Sequence, residues 1–169
     1  MTTPERLLAR AEMVGDHRTA IVAKAYKTYQ SRLKENNAVD FDDIILLTVK
    51  LLQENEDIRT FYQRKFKYVL VDEYQDTNMA QYIIVRRLAF QHSNVCVVGD
   101  DAQSIYAFRG AKIENILSFQ RDYPTARVYK LEQNYRSTQT IVDAANSLIS
   151  HNSRRLEKRC FSAAERGEK

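Results

Sequence analysis

Residues Tyr68–Asn78 read YVLVDEYQDTN, and the class of the fold turns on this stretch. Tyr68, Val69, Leu70 and Val71 form a continuous apolar run, rich in β-branched and aromatic side chains. Such a run suits a strand buried on both faces. Asp72 and Glu73 follow at once. In open α/β sheets, ligands sit beyond the carboxyl ends of the strands. One carboxylate there can hold Mg²⁺, which takes oxygen ligands and keeps several waters. The other can orient or deprotonate a water. The same residues also suit a plain strand-to-helix turn whose Asp caps the helix. On this stretch alone both readings stay open.

Moving outward, strands and helices alternate on the C-terminal side. Val95–Val98 and Arg127–Leu131 are the second and third apolar strand candidates. Helical patterns fall at Met79–Gln91, Lys112–Arg121 and Thr138–His151. This alternation predicts an α/β fold with a parallel sheet and flanking helices. An all-helical segment precedes it. A short helix is expected within Met1–Gly15, started by Thr3, Pro4 and Glu5. An amphipathic helix is expected over His17–Asn36, with Ile21, Ala25, Tyr29 and Leu33 in register. Asp40 can cap a third helix carrying Phe41, Ile44, Ile45, Leu51 and Leu52, and a fourth is expected over Asp57–Phe66. After His151 the chain turns basic and polar.

With 169 residues and a 44% hydrophobic fraction, one globular domain is the expectation, with room for a fragment of a second. A net charge of +4 permits an anionic partner without demanding one. Cys96 and Cys160 lie far apart, which argues against a disulfide framework or a metal knuckle. Cys96 lies in an apolar run and is expected in the core. No apolar stretch has the length of a transmembrane helix, and no signal-peptide pattern opens the chain. A cytoplasmic location is therefore expected, with no membrane partner.

The other strand ends carry polar groups too. Val98 leads into Gly99, Asp100, Asp101, Ala102 and Gln103. A flexible Gly followed by polar residues makes a loop that can face a ligand. Gln103 can donate to a phosphate or position a water; taken alone, it reads as an ordinary loop hydrogen bond. Tyr106, Phe108 and Arg109 set two aromatic faces beside a guanidinium within four residues. Such platforms grip single-stranded nucleic acid without sequence preference; packing in a core is the alternative for the aromatics. Arg136 follows the third strand, just before a helix. If all three strands are parallel, it shares a rim with Asp72 and Gln103. There it can neutralise a transferring phosphoryl group; otherwise it makes an exposed ion pair of little energetic value.

VDEYQDTN, VGDDAQSIYAFRGA and LEQNYRST together resemble motifs II, III and IV of superfamily-one DNA helicases of the UvrD/Rep/PcrA type. The resemblance runs from about Tyr26 to Arg159 and includes FDDIILLT at Phe41–Thr48. It implies a partial RecA-like sheet of the P-loop NTPase kind. It divides the chain into residues 1–36, the end of the helical 1B insertion; 37–151, part of the first motor domain (1A); and 152–169, a tail toward another segment. By resemblance, Asp72 binds Mg²⁺ and Glu73 activates the attacking water. Gln103 contacts the γ-phosphate of ATP, and Arg136 is an arginine finger. Tyr106 and Phe108 stack on bases of the translocating single strand, with Arg109 nearby. Phe108 stands where many members have Trp, and Ala102 where an acid is common.

No G-x-x-x-x-G-K-S/T occurs; the glycines are Gly15, Gly99, Gly110 and Gly167. The phosphate-cradling loop is thus not in this chain. The resemblance implies a fragment of an ATP-dependent 3′-to-5′ helicase of DNA repair or replication, inactive by itself. The alternatives are a non-catalytic DNA- or protein-binding module and part of a helicase-nuclease subunit. A partial sheet also exposes an edge. The isolated chain is therefore expected to self-associate, swap elements or cover that edge with its helical N-terminal part.

Overall fold

A computed structural model describes residues 2–164 and Gly167. The chain divides into two compact units, Met1–Lys50 and Leu51–Lys169. The first unit is helical. It holds α1 (Pro4–Met13), α2 (His17–Glu35) and the start of α3 (Phe41–Glu54). The start expected at Thr3 and Pro4 forms: the Thr3 hydroxyl accepts the Arg6 N–H, and Pro4 begins the helix. Met1 lies outside the described residues. Gly15 turns the chain at φ +67°, and Asp16 caps α2 by accepting the Thr19 N–H. Ala11 of α1 and Ala23 of α2 are buried where these helices pack. Asp40 caps α3 as expected, its Oδ1 accepting the Asp43 N–H at 2.8 Å.

The second unit alternates helix and strand. Its elements are α4 (Glu56–Lys65), β1 (Val69–Val71), α5 (Met79–Ala89), β2 (Val95–Val97), α6 (Glu114–Leu117), α7 (Phe119–Asp122), β3 (Gln133–Asn134), α8 (Gln139–Ile149) and β4 (Phe161–Ser162). Tight 3-10 turns cover Tyr74–Asp76, Asp101–Gln103 and Ala107–Arg109. β1 and β2 pair in parallel, Leu70 opposite Cys96. α5 packs against β1 and starts from a capping box: Asn78 accepts the Ala80 and Gln81 N–H groups, and Gln81 accepts the Asn78 N–H. Gln63 of α4 donates to the Arg87 carbonyl of α5 at 2.6 Å. Tyr74 is fully buried, with its ring edge-to-face on Phe119. No helix among the described residues is long and apolar enough to cross a membrane.

The structure corrects the expected α/β arrangement in three respects. Its third strand does not form over Arg127–Leu131, where Val128, Tyr129 and Leu131 are exposed. The strand lies just beyond, at Gln133–Asn134, and pairs in parallel with Phe161–Ser162 in a separate two-stranded sheet. An apolar run can be extended, but only a backbone partner makes it a strand. The stretch 133–134 finds one in the segment that reads as a basic tail. Second, β1 and β2 are not covered on both faces: Leu70 is 75% exposed and Cys96 is exposed, so Cys96 is no core residue. Third, the helix expected over Lys112–Arg121 is two short ones, broken at Ser118, whose hydroxyl donates back to the Glu114 carbonyl. Of the tail at 152–169, Glu165, Arg166, Glu168 and Lys169 lie outside the described residues.

Candidate functional site

The site starts where β1 ends. The ladder continues one residue past the strands: the Val98 N–H donates to the Val71 carbonyl at 2.8 Å, and the Tyr74 N–H to the Val98 carbonyl at 2.9 Å. This pins the chain on either side of Asp72 and Glu73. Glu73 takes the left-handed conformation, φ +49° and ψ 42°. For a residue with a Cβ that costs about 1–2 kcal/mol. Asp72 supports it, its Oδ1 accepting the Glu73 N–H at 2.9 Å. The other carboxylate oxygen of Asp72 has no hydrogen bond among the described residues. Asp72, Glu73 and Asp76 line an open cavity of about 370 Å³ with Thr77, Gln81 and the apolar Val71, Ile84 and Val85.

Gln75, which sequence reasoning passed over, joins this strand end to the next. It is 1% exposed. Its Nε2 donates to Glu73 Oε2 at 2.8 Å, and its Oε1 accepts the Asp100 N–H at 3.0 Å. The Ser104 hydroxyl donates to its backbone carbonyl. Gly99 is needed here for room rather than for backbone freedom. A Cβ on it would stand 2.5 Å from Gln75 Oε1 and 2.9 Å from Ile116 Cδ1.

The loop after β2 is organised by two carboxylates. Asp100 caps its own turn through the Ala102 N–H and holds Gln103, whose Nε2 donates to Asp100 Oδ2 at 3.0 Å. Lys158 donates to Asp100 Oδ1 and, at 2.8 Å, to Asp101 Oδ1. Buried Asp101 completes its set with the Leu156 N–H on Oδ2. Burial pushes the Asp100 carboxyl up, but Lys158, Gln103 and the Ala102 N–H together hold it below the usual range. Burial pushes Lys158 down, and the two aspartates outweigh that and raise it. Lys158 lies 57 residues from Asp101, so no local pattern could announce it.

Tyr106, Phe108 and Arg109 come together on the turn Ala107–Arg109, which Gly110 closes at φ +85°. The Arg109 guanidinium lies 5.3 Å from the Tyr106 ring centre and 5.4 Å from that of Phe108. Phe108 is 77% exposed, which removes core packing as its explanation. The turn is strapped to the first strand end. Ala111 bridges to Asn78, the Lys112 N–H donates to the Thr77 carbonyl, and buried Asn115 donates to the Thr77 carbonyl and hydroxyl. Arg136 stands apart. It belongs to the turn after β3, where Asn134 Oδ1 accepts the Arg136 and Ser137 N–H groups. Its guanidinium contacts neither Asp72 nor Glu73. The β1–β2 sheet therefore brings together Asp72, Glu73 and Gln103, but not Arg136.

Comparison with known proteins places these features. The family model described as the UvrD/REP helicase N-terminal domain matches residues 2–124. That of the UvrD-like helicase C-terminal domain matches residues 129–169. Asp72, Glu73, Gln103 and the aromatic turn fall in the first match, and Arg136 and Lys158 in the second. Similar curated proteins include the ATP-dependent DNA helicases PcrA of Staphylococcus aureus (strain Mu50), 52% identical over 91% of this chain, and of Bacillus subtilis (strain 168), 48% identical over all of it. That of Staphylococcus epidermidis is 50% identical over the whole chain. The chain spans about a fifth of the length of these relatives, 21–23%.

Proposed function

We propose, because this chain belongs to the UvrD/REP helicase family, that it is part of a longer ATP-dependent DNA helicase. It supplies one wall of the nucleotide site and a turn that contacts single-stranded DNA. In this reading β1 and β2 belong to a RecA-like parallel sheet. Residues 1–36 end a helical insertion, 37–151 carry the motor motifs, and 152–169 lead onward. Polarity is 3′ to 5′, the setting is repair or replication, and the location is cytoplasmic.

The observation that carries this reading is the meeting of two strand ends. Asp72 and Glu73 beyond β1 are hydrogen-bonded through Gln75 to the loop beyond β2 that holds Gln103. The donor set suits Mg²⁺. Asp72 keeps one carboxylate oxygen free, and the cavity beside it is open to phosphate and water. When bound, Mg²⁺ neutralises charge on the phosphates. Glu73 accepts a proton from, or orients, the attacking water. Gln103, released from or shared with Asp100, donates to the terminal phosphate. Arg136, from the region matching the C-terminal domain, completes the site as an arginine finger when its turn closes on the nucleotide. Tyr106 and Phe108 stack on bases, and Arg109 adds cationic character. The straps from Thr77 and Asn78 to residues 111–115 let a change at the carboxylates reach the aromatic turn.

Alone, the chain lacks a lysine-bearing phosphate loop, and we infer that it does not turn over ATP. The test is ATP hydrolysis by the longer polypeptide with Glu73→Gln, which keeps shape and removes the base. Turnover should vanish while nucleotide binding persists; normal turnover would refute the assignment of Glu73.

A further inference from the structure

We propose that Gln75 is a positioning residue for the hydrolytic step: the two ends of its buried amide hold the Glu73 carboxylate and the Gly99–Gln103 loop in one geometry. This rests on the reading of Glu73 as the group that orients water. Glu73 is exposed, and among the described residues Gln75 alone holds its carboxylate, at 2.8 Å. Without that bond the carboxylate is a free side chain with several rotamers. With it, one carboxylate oxygen is tied to a buried donor. The other end of the amide accepts the Asp100 N–H at 3.0 Å. Asp100 in turn holds Gln103 Nε2 at 3.0 Å. Three hydrogen bonds in series thus join the side chain that faces the water to the one that faces the terminal phosphate. The two bonds made by the Gln75 amide itself are shielded by its burial and so hold their geometry better than exposed ones would.

The surroundings conserve this geometry. Gly99 leaves the space that the amide oxygen fills, since a Cβ would come within 2.5 Å of it. The Ser104 hydroxyl fixes the Gln75 backbone. A glutamine serving packing alone would not need its two polar ends divided between two catalytic segments. The consequence is specific. Displacing the amide frees the water-orienting carboxylate from its one hydrogen bond among the described residues, while the loop that carries Gln103 keeps its ties to Lys158.

The experiment uses two variants that reach the amide from opposite sides. In the longer polypeptide, Gln75→Met keeps volume and removes both polar ends. It is expected to lower kcat for ATP hydrolysis about a hundredfold, as a misplacement of about 1 Å does, with KM for ATP unchanged. Gly99→Ala pushes the amide away with Gln75 intact and is expected to lower kcat likewise; it decides the matter if Gln75→Met does not fold. In the present chain, amide exchange at Asp100 should quicken in Gln75→Met. An unchanged kcat in either folded variant, beside a Glu73→Gln protein without turnover, overturns the proposal and leaves the reading of Glu73 intact. So does Asp100 exchange that stays slow in folded Gln75→Met. Normal hydrolysis by Glu73→Gln defeats the reading of Glu73 and the proposal with it.

Discussion

At the scale of single residues, the proposed chemistry rests on side chains carried by fixed backbones. Glu73 is held left-handed, and such strain at a functional site needs surroundings that enforce it. Arg136 has its backbone fixed by Asn134 and its side chain exposed. In the longer polypeptide, Arg136→Ala is expected to cut ATP turnover by about a thousandfold or more, the range of an arginine finger. Steady-state phosphate release in saturating single-stranded DNA measures it; a loss below tenfold would contradict the role. Tyr106 and Phe108 sit 5.9 Å apart with Arg109 over both rings. Each base stacked on an aromatic contributes about 1–3 kcal/mol. Tyr106→Ala should therefore weaken oligonucleotide binding by roughly tenfold or more, and binding should fall with salt. Fluorescence anisotropy at two salt concentrations reads both effects.

At the scale of elements, the loop after β2 and the segment before β4 are joined by Lys158 across Asp100 and Asp101. Removing one partner of such a pair leaves the buried Asp101 carboxylate with only the Leu156 N–H. Lys158→Met is expected to destabilise the second unit by about 2 kcal/mol, read as a lower urea midpoint. The pair also sets a pH window. The folded value of Asp100 is depressed, so its contribution is full above the ordinary 3.8 and is lost as pH falls through the folded value. That of Lys158 is raised, so its contribution is full below 10.5 and is lost as pH rises through the folded value. The stability difference between wild type and Lys158→Met should thus be flat between these limits and shrink in acid and in alkali. Equal slopes for both proteins throughout would show that the pair contributes nothing. The capping box of α5 gives a simpler check: Asn78→Ala should cost about 1 kcal/mol.

At the scale of the whole molecule, several large apolar side chains stand exposed. Leu70 and Cys96 lie on the open face of β1 and β2, and among the described residues neither strand has a second neighbour. Unpaired strand edges beside apolar side chains are templates for association. The chain of 19.7 kDa is expected to self-associate as concentration rises, and Leu70→Lys to reduce this. Light scattering after size exclusion measures the mass. A monomer at every concentration, for both proteins, would remove the prediction.

What the sequence determined by itself is local. Thr3 and Asp40 cap helices within a few residues of themselves, so those starts were legible. The run before Asp72 and the run before Gly99 marked two strands and the polar groups at their ends. The three motifs carried the family. Tertiary structure alone decided what depends on a distant partner. Arg127–Leu131 has the composition of a strand and no neighbour, while Gln133–Asn134 pairs with a stretch that reads as tail. Lys158 looks like one more basic residue until the fold sets it between two aspartates. Gln75 looks like spacing within a motif until burial makes both ends of its amide find partners. A cap closes over a few residues and can be read from them. A ladder, an ion pair or a buried amide is completed by residues whose proximity only the folded chain creates.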